Sequence, residues 1–125
     1  MPGTSEYDSR LFAGADHFNR GDFFEAHEVW EGLWHETPGP DRRFIQGLIQ
    51  AAVALHHAGN GNARGARRLF HSARKYMSNF ANPHLGIDVE GFWAAMEKAM
   101  ADFLPDPASP EAILQVDFVP RIVLE

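Results

Sequence analysis

The chain contains no cysteine. That excludes structural disulfides and thiolate metal sites. No apolar run approaches the roughly 18 residues that would cross a membrane. The first ten residues, MPGTSEYDSR, are polar and lack the apolar stretch of a secretory leader. The cytoplasm is therefore the expected location, and no membrane contact is expected. Positive charge is scarce: 11 Lys and Arg stand against 17 Asp and Glu, for a net charge of −6. A surface of that sign does not favour nucleic acid as a partner of the whole molecule. The sequence has no P-loop, no GxGxxG and no GxSxG, and it has few serines for Ser/His/Asp catalysis. The phosphate loops and the nucleophile elbow belong to α/β folds. Their absence therefore matters little by itself, and together these absences push any enzymatic reading toward metal or His/Glu acid–base chemistry.

What remains is 125 residues, 45% hydrophobic and 22% charged, enough for one domain with its own core. The apolar spacing is helical from residue 8 to 103. A first helix is predicted from Asp8 to Arg20, with Asp8 or Ser9 as cap and Asn19-Arg20-Gly21 as stop. A second runs from Asp22 to Glu36, where Asp22 suits the N-cap. The third spans about Asp41 to Ala58, the fourth Asn62 to Ser78, and the fifth Asp88 to Phe103. The stretch PDPASPEA, 105–112, cannot continue a helix. The tail VDFVPRIVLE reads as extended, with Pro120 confining any strand to an edge. The expected fold is all-α, a compact irregular bundle of about five helices: two helix-hairpins plus a fifth helix. A single domain, 1–125, then has a helical core over 8–103. An extended C-terminal segment, 104–125, packs on its own domain or on a neighbour, which would make a homo-oligomer. The turns NRGDFFEA and NGNARGA echo each other, each following one helix and opening the next.

The second helix carries the densest chemistry. At about 100° per residue, with His27 at zero, Glu31 falls near 40°, Trp34 near −20°, Phe23 near −40°, Phe24 near 60° and Trp30 near −60°. His27 and Glu31 are thus expected inside an aromatic, buried face, with Glu28 and His35 at its edge and Glu25 and Glu36 in solvent. A buried carboxylate must be paired or hydrogen-bonded. His27 and Glu31 are four residues apart and can pair with each other. The same spacing lets both reach one divalent metal ion, as in helical HExxH sites. Three readings stand side by side: a structural pair that bridges to a neighbouring helix, a metal or small-ligand site, and an acid–base site.

On the third helix, Gln46, Gln50 and His57 share a side opposite the core stripe, with Val53 between them, while His56 lies nearer the core. Gln50 and one of His56 and His57 are expected to approach His27 and Glu31. On the fourth helix, Arg64, Arg67, Arg68, His71, Arg74 and Lys75 share a polar face with no acid in the segment. Such a face suits an anion or an acidic partner, or else pairs with acids elsewhere in the chain.

These residues also form a recognisable set. FNRGDFFEAHEVWEGLW, followed by RRFIQGLIQAAVALHH, a Gly/Asn turn and RGARRLF, resembles the helical family catalogued as domain of unknown function number 309. The family pattern F-N-x-G-x-[FY]-[FW]-E-x-H-E-x-[WL]-E-x-x-W falls on residues from Phe18 to Trp34, and F-x-Q-G-L-I-Q falls on Phe44 to Gln50. The resemblance covers roughly 11–80 and implies a small all-α array of helices. It implies no activity, and it groups His27, Glu28, Glu31, Gln46 and Gln50 as one set. The expectation is a polar pocket between helices two and three, lined by His27, Glu28, Glu31, Trp34, His35, Gln46, Gln50, His56 and His57. A divalent metal on His27 and Glu31, or a small polar ligand, would occupy it. In the alternative, the same residues tie helices together in a non-catalytic interaction module.

Overall fold

A computed structural model describes residues 7–124. These described residues form five α-helices: α1 Ser9–Asn19, α2 Phe23–Glu36, α3 Pro40–Gly59, α4 Ala63–Met77 and α5 Val89–Ala99. No strand is formed among the described residues, and none of their helices is long and apolar enough to cross a membrane. The all-α expectation and its two hairpins, α1–α2 and α3–α4, hold. The fifth helix is shorter than expected. It ends at Ala99, and Ala101–Phe103 form a separate 3-10 turn.

The caps follow the sequence with one exception. Asp8 accepts from the Arg10 backbone N–H at 2.8 Å and starts α1. The Arg10 guanidinium grips the same carboxylate and reaches Glu36 at the far end of α2. Hydrogen bonds from that side chain and its backbone hold the Asp8 carboxyl down at about 2. Asp22 occupies the cap position of α2, yet its side chain makes no capping hydrogen bond. Its carboxylate instead lies 3.8 Å from both Arg20 and His17.

The two echoing turns have the same geometry. The Gly21 N–H donates to Phe18 and the Asp22 N–H to His17; the Gly61 N–H donates to Ala58 and the Asn62 N–H to His57. These are the paired bonds of a Schellman stop, with glycine in the left-handed region at φ 83° and 77°.

α3 is apolar on most sides and forms the centre, burying Phe44, Ile45, Leu48, Ile49, Ala51, Ala52, Ala54 and Leu55. Its closest partner is α4, which brings Ala66, Phe70, Ala73 and Met77 against it. At the other hairpin, Trp30 of α2 is fully buried beside Phe18 and donates its indole N–H to the Leu11 carbonyl at 3.3 Å. Phe92 of α5 closes on the same Phe18 ring.

The tail is held by a device the sequence did not disclose. Asn19 donates to the Ile122 carbonyl at 2.9 Å and accepts from the Ile122 N–H at 2.7 Å. One side-chain amide thus replaces the strand partner that an extended segment would need. Pro120 and Ile122 are buried, whereas Ile113, Val116, Phe118 and Val123 face outward.

Candidate functional site

Three rows of side chains meet along α3. The first is on α2, where Phe24, His27, Glu31 and Trp34 recur at helical spacing along one edge. Both ends of this row touch α3. The Phe24 ring lies 5.6 Å from His56, and Arg42 sits 4.0 Å over the Trp34 ring. Between those contacts, His27 faces the Phe24 carbonyl with Nδ1 at 3.1 Å. A carbonyl only accepts, so Nδ1 is the donor in this contact, and Nε2 is turned toward Glu31. The Nε2–Oε2 distance is 3.6 Å.

The second row is the face of α3 formed by Gln46, Gln50, Val53 and His57, all half-buried. The Gln50 Oε1 atom is shielded from solvent and has no hydrogen-bond partner. The third row belongs to α4. Tyr76 stacks under Arg43 at 4.7 Å, and Arg68 at the opposite end lies close enough to act on His57. Burial first, then the charges of His56 and Arg68, lower the His57 pKa and favour its neutral form. At the N-terminal end of α3 the rows close into a cleft of about 430 Å³, lined by Trp34, Arg42, Arg43, Gln46 and Tyr76 with Gly39. At the C-terminal end, Asn60 reaches His56 at 3.1 Å and Asn62 reaches His57 at 3.3 Å.

The expected burial of His27 and Glu31 is not observed. Their side chains are 21% and 54% exposed, and no polar or charged residue is buried among the described residues. The buried face of α2 is Ala26, Trp30 and Leu33, which centres about 90° away from His27 on the helical wheel. Bulk misleads here. Phe24 is 46% exposed and Trp34 only half-buried, so these two rings form a rim, while small Ala26 and Leu33 form the core contact. Glu28 and His35 are exposed, with His35 edge-on to Trp34 at 5.1 Å. Gln50 makes no hydrogen bond through Oε1 to His27 or Glu31, and the link from α3 to that pair is His56 through the Phe24 ring. Among the described residues, no three His, Asp or Glu side chains are grouped to hold a metal ion.

A surface pair contributes little to stability. Glu31→Gln should therefore shift the unfolding free energy by less than about 1 kcal/mol, as read by urea denaturation. A loss of about 2 kcal/mol or more would mean a pair that the fold depends on.

The basic face of α4 is also divided. Arg67 donates to the Leu104 carbonyl at 3.0 Å, and Arg74 pairs with Glu97 beside Trp93. These two tie α4 to the chain beyond it. Arg64, Arg68 and Lys75 are exposed and have no ion pair among the described residues. Reading the sequence alone missed Arg42, Arg43 and Tyr76 as groove residues. Their partners lie on other helices, so no local spacing announces them.

Residues 11–69 match the model of a family described as Domain of unknown function (DUF309). The uncharacterized protein YpuF of Bacillus subtilis is 40% identical over 70 residues, which cover 54% of this chain and 40% of that protein. An uncharacterized protein of Aquifex aeolicus is 31% identical over 84 residues, 66% of this chain and 25% of that protein. The chain thus spans less than half the length of these relatives. The matched segment takes in most of α1, all of α2 and α3 and the first half of α4, and so the α2 and α3 rows in full. Over residues 11–69, the chain thus matches the family described as Domain of unknown function (DUF309), the resemblance that the α2 and α3 motifs imply.

Proposed function

We propose that this is a non-catalytic binding module whose working surface is the groove along α3, between the α2 edge and α4, and that its occupant is an extended peptide segment of a partner protein. The observation that carries this reading is Gln50, with a shielded amide oxygen that meets no donor in its own fold. An unsatisfied amide oxygen costs stability, and a turn of the half-buried Gln50 side chain would bring it to the surface, where a partner's donor completes it. Gln46 and Gln50 are four residues apart, about 6 Å along a helix. Two residues of an extended chain span about 6.6 Å. The two amides can therefore meet successive outward-facing backbone groups of one strand-like peptide. Phe24, Trp34 and Tyr76 offer aromatic rims for its apolar side chains, and Val53 lies between the polar positions of the floor.

The competing reading is a metal or small polar ligand held by His27 and Glu31. It is favoured by their 3.6 Å approach and by His56 lying one ring away. One set of measurements separates the two. Peptides selected from a displayed random library against the full chain should bind at least tenfold more weakly to Gln46→Ala/Gln50→Ala. The amides they shift should lie within 24–34 and 46–57. Peptides indifferent to that double substitution would overturn the groove reading. One equivalent of metal in purified protein, lost in His27→Ala/Glu31→Ala, would establish the metal reading in its place.

A further inference from the structure

A second groove lies away from the α3 surface. It has a volume of about 710 Å³ and runs between the N-terminal half of α4 and the segment that follows Leu104. Arg64, Arg67 and Arg68 line one side, and Asp106, Pro107 and Ala108 the other. The three guanidinium groups fall within five residues, on a helix with no acidic side chain at all. They are not there because the chain is basic, since its net charge is −6.

Their roles differ. Arg67 fixes the far wall, with Nε on the Leu104 carbonyl at 3.0 Å and its guanidinium 3.8 Å from the Asp106 carboxylate. Asp106 is the carboxylate that lines the groove, and its side chain is 74% exposed. It does not neutralise Arg64 or Arg68, which have no ion pair among the described residues. Three like charges packed within a little over one turn repel one another, and an anion between them relieves that repulsion.

We propose that this groove binds a phosphate monoester, with Arg64 and Arg68 gripping the phosphoryl oxygens and Arg67 holding the opposite wall in place. A carboxylate is satisfied by a single guanidinium fork. A tetrahedral dianion with three free oxygens is matched by two forks converging from positions four apart. The groove is also wide enough for the organic part of the ester, since small-molecule sites range over about 300–1,000 Å³.

The test is a heteronuclear NMR titration of the full chain with phenyl phosphate at constant ionic strength. The expected result is saturable shifts confined to the amides of 63–68 and of Leu104, Asp106 and Ala108. The dissociation constant should rise at least tenfold in Arg64→Ala/Arg68→Ala and stay unchanged in Lys75→Ala. Binding should also weaken as pH falls below about 6, where the monoester loses its second charge. Should the alanine pair disturb the fold, Arg64→Lys/Arg68→Lys keeps the charge, removes the forks and should still weaken binding. Linear shifts that follow salt alone, shifts centred on other residues, or affinity untouched by both paired variants would overturn the assignment.

Discussion

Replacing Trp30 with alanine is expected to destabilise the protein by about 3–5 kcal/mol, the range for deleting a large aromatic from a packed core. Trp30 is fully buried, although it lies within a segment crowded with charge. It packs on Phe18, which in turn touches Phe23 and Phe92, so one ring links α1 and α2 to α5. Its indole N–H is satisfied by the Leu11 carbonyl, and the substitution would leave that carbonyl without its side-chain donor inside a new cavity. Urea unfolding should show a much lower midpoint with little change in slope, because the surface exposed on unfolding is nearly the same. A loss below about 1 kcal/mol would mean that the α1–α2 contact is not organised around this ring.

The second large effect is a change of sign. Alanine normally stabilises a helix over glycine by about 0.8–1.0 kcal/mol. Gly14 is helical and fully enclosed in α1, but a Cβ there would fall on the Trp30 indole ring. A fully buried ring packed on Phe18 cannot yield as the end of a flexible chain would. Gly14→Ala should therefore cost about 1–3 kcal/mol, despite the gain in helix propensity. In a Trp30→Ala background the obstacle is gone and the added methyl enters the cavity. The same substitution should then be neutral or stabilising by up to about 1 kcal/mol. Four unfolding curves complete this cycle. Additive effects would show that the close approach at Gly14 is not what limits the site.

Contrast these with the neighbouring residues that looked most like chemistry. The five helices were legible because their stops are chemically explicit: glycine at 21 and 61, Thr-Pro-Gly-Pro after Glu36, and Asn-Pro at 82. The orientation of α2 was not legible. A helical wheel weighted by large aromatics points at His27, whereas the core selects Ala26, Trp30 and Leu33 because α1 approaches closely only where one side is small. The distribution of cations over partners was not legible either. Arg42 and Arg43 find aromatic rings on α2 and α4, and Arg67 finds a carbonyl at position 104, all contacts that tertiary structure alone creates. The polar line of Gln46, Gln50 and His57 was legible, because its period is the helix's own. What spacing could not supply was its setting: all three are half-buried, and Gln46 lines a cleft between Trp34 and Tyr76.

A position kept for binding rather than for folding should become more stable when its polarity is removed. Gln50→Met tests this most directly, because methionine keeps the length of the side chain and removes the shielded, unpartnered amide oxygen. The groove as a working surface predicts that urea unfolding of this variant shows an unchanged or higher midpoint, with a gain of up to about 1–2 kcal/mol. A loss of more than about 1 kcal/mol would contradict it, for it would mean that the Gln50 amide is already satisfied by the fold.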